Sequence, residues 1–251
     1  MPPVQPTPRE PTPRERTPVH PTSVQLPLIE LHGVEVVRDG RTVLSDVDLT
    51  LDDHRIAIIG ANGSGKSTLV RLLNALLLPT RGQVTVGDLR TDRDAGQIRR
   101  RIGFVFQNPD NQVVMPVVAD DLAFGCRNIG VPRTQIAERV ADALGALGLE
   151  SLQDRESHTL SGGERQLVAL AAVLVMRPEV IIFDEPTTML DLRNRLRLQR
   201  HIDQLPQRAI VVSHDLDLVA RYPRVIVLDQ GRVVFDGAAT PAIEHYRELC
   251  R

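Results

Sequence analysis

One lysine stands among 29 arginines in this chain, inside Gly60-Ala61-Asn62-Gly63-Ser64-Gly65-Lys66-Ser67-Thr68. The stretch fits G-x-x-x-x-G-K-[ST] at every fixed position. Its glycines let the backbone curl until successive N–H groups point at phosphate oxygens, and the positive end of a following helix adds to them. Lys66 can reach terminal phosphates and the Ser67 hydroxyl can hold Mg²⁺. The slim ammonium enters a ring of amides that a planar guanidinium fits poorly, which explains why lysine persists here and nowhere else. The competing reading is a glycine-rich turn that matches by accident. The flanking pattern weighs against it: the apolar run Arg55–Ile59 precedes the loop, and Leu69, Leu72, Leu73 and Leu76 follow at helical spacing.

Two further groups carry chemistry. Val180-Ile181-Ile182-Phe183-Asp184-Glu185 is an apolar run ending in paired carboxylates. At the end of a buried strand near a phosphate loop, Asp184 is suited to Mg²⁺ and Glu185 to polarising an attacking water. Without the loop the pair would read as a helix cap before Pro186. Leu160-Ser161-Gly162-Gly163-Glu164-Arg165-Gln166 opens a second apolar helix. Ser161 and Glu164 make a capping box, the purely structural reading. Two glycines in a first helical turn cost about 1 kcal/mol each relative to alanine, however, and they admit an anion close to the backbone. Ser161, Gly162, Gly163 and Glu164 therefore also read as a second phosphate-binding helix start.

The elements that must position these groups alternate between strand and helix. Leu28–Val37 and Val43–Leu51 pattern as strands joined by a turn at Asp39-Gly40. Short strands follow at Val84–Val86 and Ile102–Phe106, the latter leading into Gln107-Asn108-Pro109. Residues 117–176 are mostly helical in pattern, with Ile136, Val140, Ala143, Leu144 and Leu147 on one face before Gly148. Val180–Phe183, Ala209–Val212 and Val225–Leu228 are continuous apolar runs, as in strands buried on both faces. Helices are expected over Asp191–Leu205 and Asp215–Tyr222. The fold class is α/β, a parallel sheet wrapped by helices with an early antiparallel pair and an inserted helical block.

Composition sets the boundaries. Residues 1–27 hold nine of the 18 prolines and repeat Pro-Thr-Pro-Arg-Glu at 6–10 and 11–15, so they read as a disordered tail before a domain over 28–251. A net charge of −2, 3% aromatics and no Trp argue against a nucleic-acid partner. Cys126 and Cys250 do not make a disulfide framework, which suits a reducing compartment. The longest apolar run, Leu167–Met176, is too short to span a bilayer, so a membrane role needs a partner.

Taken together and in this order, the phosphate loop, Gln107, Leu160–Gln166, Asp184-Glu185, Asp191 and Ser213-His214-Asp215 resemble the ATP-binding cassette of ABC transporters over about residues 28–240. The resemblance implies a P-loop ABC ATPase core with an antiparallel β subdomain and a helical subdomain at about 117–176. It implies ATP and Mg²⁺ as ligands, with Lys66, Glu185 and His214 catalytic and Ser67, Gln107 and Asp184 at the metal. It also implies a head-to-tail homodimer or heterodimer, in which ATP lies between the phosphate loop of one chain and Ser161-Gly162-Gly163 of the other. Gln107 would sense a membrane partner, Asp191 would cross the dimer interface and His214 would contact the γ-phosphate. Integral membrane and substrate-binding subunits would hold the ATPase at the cytoplasmic face.

Gln107-Asn108-Pro109-Asp110-Asn111-Gln112 resembles the ATPases of energy-coupling-factor vitamin importers and their cobalt and nickel relatives. Glu185-Pro186-Thr187-Thr188-Met189-Leu190-Asp191 is similar to the biotin-importer ATPase. Asn111 and Gln112 are expected on the surface that meets the membrane subunit. Two positions depart from the family: Arg38 replaces the aromatic that stacks on adenine, and Leu167 replaces a basic residue, with Arg165 beside it. Other classes remain: an importer of metal or amino acids, a non-transport ABC ATPase, or a nucleotide-dependent interaction module without turnover. The single cassette weighs against the second of these, and an intact Glu185 and His214 against the third.

Overall fold

In the computed structural model, residues 26–251 are described. The tail expected over 1–27 lies outside them except for Leu26 and Pro27. Pro27 does not belong to a tail: it is buried, and its carbonyl accepts from the buried Arg208 guanidinium.

The antiparallel part is a hairpin, β1 (Ile29–Arg38) and β2 (Arg41–Leu51), turned at Asp39 (φ 50°) and Gly40 (φ 71°). Two left-handed residues match the right-handed twist of the strands. β4 (Arg81–Val86) and the short β5 (Leu89–Arg90) extend this sheet in the order β2-β1-β4-β5.

The second sheet has the order β10-β9-β3-β8-β7-β6. β3 (Arg55–Ile59), β6 (Ile102–Val105), β7 (Val180–Asp184), β8 (Arg208–Val212) and β9 (Arg224–Asp229) are parallel. β10 (Arg232–Gly237) adds an antiparallel edge that the sequence pattern does not announce. Its residues alternate between exposed and half-buried, with too little apolar content to read as a core strand.

The period of two in a strand divides the core. Ile56, Ile58, Val180, Ile182, Ile210 and Val212 face one cluster, shared with the antiparallel sheet and α1 (Lys66–Leu73). Ala57, Ile59, Ile181, Phe183, Ala209 and Val211 face the other, beneath the inserted helices. Those helices are α3 (Val118–Asn128), α4 (Arg133–Gly145) and α5 (Gly162–Leu174). The expected apolar face of α4 is present, and the chain turns at Gly148 (φ 63°).

Three helices differ from expectation. α2 (Ala95–Arg101) buries only Ile98 among arginines and so lacks a readable stripe. α7 is one turn, Leu216–Val219, rather than a helix to Tyr222. α8 (Ala239–Leu249) closes the described chain, where the sequence pattern had stopped at the strand before it. α6 (Leu192–Gln204) starts as expected, capped by Asp191 accepting from Asn194 N–H at 2.8 Å.

Candidate functional site

The carboxyl ends of β3, β7 and β8, together with the loop after β6, converge on one cavity of about 630 Å³. This is the crevice where open parallel sheets place ligands. β3 delivers Gly60, β7 delivers Asp184-Glu185, β8 delivers Ser213-His214, and β6 leads to Gln107.

The loop between β3 and α1 wraps the cavity. Gly60, Ala61, Asn62, Gly63, Gly65, Lys66, Ser67 and Thr68 line it, while Ser64 is buried behind. Gly60 (φ 153°) admits no side chain, since a Cβ there would lie 2.1 Å from the Leu228 carbonyl oxygen. Lys66 Nζ donates to the carbonyls of Gly60 at 2.8 Å and Ala61 at 2.9 Å, so the ammonium arches over its own loop. Burial lowers its pKa, opposed by the charges of Glu185 and Asp184.

Asp184 is 3% exposed and accepts from the Ser67 hydroxyl at 2.8 Å. Burial raises its pKa; the Ser67 hydrogen bond and Arg71, at 3.7 Å, pull the other way. Serine hydroxyl and carboxylate are hard oxygen donors suited to Mg²⁺. Among the described residues no cluster of three His, Cys, Asp or Glu could cage a metal, so water and phosphate oxygens would complete the coordination.

Glu185 occupies a left-handed backbone (φ 52°), uncommon for a non-glycine residue and a form of strain that concentrates at functional sites. Its N–H donates to Val212 O at 3.0 Å, anchoring it to β8. The Oε2 atom lies 2.7 Å from His214 Nδ1 and 3.4 Å from the Thr188 hydroxyl. Gln107 and Thr188 complete this wall.

Other expected residues lie elsewhere. Ser161, Glu164 and Asp191 open on a different groove, with Arg193, Asn194, Arg197 and Arg200. The capping box is formed: Ser161 Oγ accepts from Glu164 N–H at 3.3 Å, and Glu164 Oε2 accepts from Ser161 N–H at 2.8 Å. The two glycines separate in purpose. Space beside Gly162 is open, whereas a Cβ on Gly163 would meet the Asn194 side chain at 2.3 Å. Gly163 thus serves the contact between α5 and α6, and only Gly162 leaves backbone open to an approaching anion.

Arg38 is exposed at the hairpin end and is not part of the cavity lining; Val43 and Tyr246 are. Tyr246 lies on α8 and has no signal in the sequence; Thr188 follows Asp184 by four residues and could have been found from that spacing. Leu167 is core, and Arg165 instead ties the start of α5 to the loop after β6 through Asp110 at 2.8 Å. Gln112 is not free for a partner. Its side chain accepts from Phe106 N–H at 3.2 Å and donates to Ala169 O at 2.7 Å, fastening that loop to α5, while Asn111 is exposed.

A family model described as ABC transporter matches residues 44–188, from β2 through the loop that follows Glu185. The chain belongs to the ABC transporter ATPase family. Related ABC proteins include the biotin transport ATP-binding protein BioM of Rhizobium etli, 43% identical over 221 residues, covering 88% of this chain and 98% of that one. The cobalt import ATP-binding protein CbiO of Syntrophus aciditrophicus is 48% identical over 202 residues, 78% of this chain and 72% of that one. The solved structure of cbiO1 from Clostridium perfringens, part of the ABC transporter complex cbiONQ, superposes with a TM-score of 0.78 at 32% identity, covering 89% and 93% of the two chains. The fold is thus that of an ABC ATPase, and the chain binds and hydrolyses ATP as its family does. No helix among the described residues is long and apolar enough to cross a membrane.

Proposed function

We propose that this ABC ATPase energises an importer of the energy-coupling-factor type, with biotin as the cargo of the assembled complex. The observation that carries the hydrolytic part is the meeting of the Ser67–Asp184 pair, at 2.8 Å, and the Glu185–His214 pair, at 2.7 Å, in the cavity wrapped by the phosphate loop.

In this reading the loop amides and Lys66 bind the β- and γ-phosphates, and Ser67, Asp184 and Gln107 hold Mg²⁺. The ion supplies charge neutralisation on the phosphate oxygens. Glu185 takes a proton from water as the water oxygen bonds to the γ-phosphorus and the bond to the ADP oxygen breaks. His214, hydrogen-bonded to Glu185, contacts the γ-phosphate. Catalysis of this kind rests on positioning and charge.

The chain acts with a second ABC ATPase, its own copy or a relative. Two observations support this: Ser161, Glu164 and Asp191 open on a groove apart from the cavity, and Met189, Leu192 and Leu196, on either side of Asp191 in the chain, stand exposed at 72%, 64% and 47%. Integral membrane subunits bind the cargo and hold the ATPase at the cytoplasmic face. The BioM relative and the Thr187-Thr188-Met189-Leu190-Asp191 stretch favour biotin; the cobalt-import relative, similar at 48%, favours cobalt as the second reading.

The test uses the chain assembled with its membrane subunits in vesicles. ATP-driven uptake of labelled biotin is expected, with none of Co²⁺. Glu185→Gln should stop hydrolysis, with a loss of about 10²–10⁴-fold, and trap an ATP-bound dimer on size exclusion. Uptake of Co²⁺ alone would replace the biotin reading, and undiminished turnover in Glu185→Gln would end the hydrolytic one.

A further inference from the structure

The first turn of α6 is joined to the His214 turn by an ion pair outside the cavity lining. Arg195 Nη1 donates to Asp215 Oδ2 at 2.6 Å, and the Asp215 side chain is only 12% exposed. The other carboxylate oxygen, Oδ1, accepts from the N–H groups of Asp217 at 3.1 Å and Leu218 at 3.3 Å, capping α7. Asp215 N–H donates to Ser213 Oγ at 3.0 Å, so one tight turn holds Ser213, His214 and Asp215. His214 then reaches Glu185 at 2.7 Å.

On the other side, Arg195 N–H donates to Asp191 O at 2.9 Å, which fixes Arg195 to the capped end of α6. A contiguous path of hydrogen bonds and covalent neighbours runs from Asp191 through Arg195, Asp215 and His214 to Glu185. We propose that Arg195 is a positioning residue for hydrolysis: by holding Asp215 it sets the turn that presents His214 to Glu185, and so makes the hydrolytic pair sensitive to the start of α6.

The proposal rests on the hydrolytic reading above and deepens it. An ordinary surface ion pair is worth about 0–1 kcal/mol of stability. This one differs because Asp215 is mostly buried and spends both oxygens, one on α7 and one on α6. Its depressed pKa, to which the Arg195 hydrogen bond contributes against the effect of burial, agrees with a carboxylate kept ionised in this arrangement. A displacement of the reacting geometry by about 1 Å costs on the order of 10²-fold in rate, so a small rotation of His214 is enough to be seen.

The experiment measures steady-state Mg-ATP hydrolysis by the full chain for Arg195→Met, Arg195→Lys, Asp215→Asn and the double variant Arg195→Met/Asp215→Asn. Asparagine keeps the cap on α7 and removes the charge. Each of Arg195→Met and Asp215→Asn should lower kcat by about 10- to 100-fold with KM for ATP little changed, since the phosphate loop is untouched. The double variant should be no slower than the slower single one, because the pair acts as a unit. Arg195→Lys should recover part of the loss. Undiminished kcat in folded Arg195→Met, losses that multiply in the double variant, or a rise in KM that accounts for the whole effect would each overturn the role. If Arg195→Met fails to fold, Asp215→Asn decides alone: normal kcat there overturns it. Glu185→Gln runs alongside. Turnover surviving in that variant sinks the hydrolytic reading itself, whereas its loss with normal turnover in Arg195→Met sinks only the role of Arg195.

Discussion

Lys66 is the residue at which composition and geometry agree most closely. Its ammonium spans the carbonyls of Gly60 and Ala61 within 2.9 Å. A guanidinium carries the same charge but is wider and planar, and it cannot sit over both carbonyls and still enter the ring of amides. Lys66→Arg should therefore abolish turnover while the chain stays folded, as read by ATPase assay and circular dichroism. Asp184 shows the opposite balance, function held against stability. Burial raises its pKa, so the folded state favours the protonated form more than the unfolded chain does. The associated stability is fully present below the unfolded carboxylate pKa and is lost as pH rises through the folded one. Asp184→Asn, which keeps an acceptor for Ser67, should therefore melt higher than the unaltered chain at pH 7 in the absence of nucleotide. That advantage should shrink as pH falls through the carboxylate range, and hydrolysis should be lost. Melting curves between pH 4 and pH 8 would check the sign.

At the scale of elements, the junction of α5 and α6 separates two adjacent glycines. Gly162 faces open space and Gly163 faces Asn194. Gly162→Ala should raise stability by up to about 1 kcal/mol through helix propensity and lower turnover if the backbone there must meet a nucleotide. Gly163→Ala should be less stable than Gly162→Ala, because Asn194 must swing away. Adding Asn194→Ala to Gly163→Ala should recover stability. Thermal melts of the three variants give the order directly. The order Gly162→Ala below Gly163→Ala would mean that the side chain of Asn194 yields freely. The same scale holds the elements that sequence pattern passes over. α2 and β10 have too few buried apolar positions to show a period, and α8 packs Ala239, Ala242 and Ile243 through contacts that exist only once β9 and β10 are in place.

For the molecule as a whole, the N-terminal boundary offers a plain test. Pro27 is buried, and its carbonyl accepts from Arg208, as does that of Asp52; the guanidinium is 3% exposed and its Nε has no partner among the described residues. Deleting residues 1–25 should leave the melting temperature within about 1 °C, because that Pro-rich composition offers little to bury. Deleting 1–27 should lower it by a further 3–12 °C or so, the effect of one charged hydrogen bond worth about 1.5–3 kcal/mol in a chain this long. Equal melting temperatures for the two truncations would show that Arg208 finds water instead.

The phosphate loop, the paired carboxylates, the capping box and the five apolar runs that became parallel strands of the core were legible in residue type and spacing, since each is a local pattern whose physics needs only neighbouring residues. A strand buried on both faces must be apolar throughout, and a loop of amides around phosphate must be rich in glycine. The purpose of Gly163, the inward turn of Gln112, the place of Tyr246 in the cavity, the antiparallel edge β10 and the contact of Arg195 with Asp215 emerge only in the folded chain. β10 pairs with its chain neighbour β9 and escapes notice because its residues are at most half-buried; the others join residues distant in the chain, and their side-chain types would be equally at home on a solvated surface. What separates the two groups is the distance over which the deciding interaction acts. Backbone geometry and burial write themselves into residue type and spacing, whereas a hydrogen bond across 57 residues, as from Gln112 to Ala169, leaves no period to read.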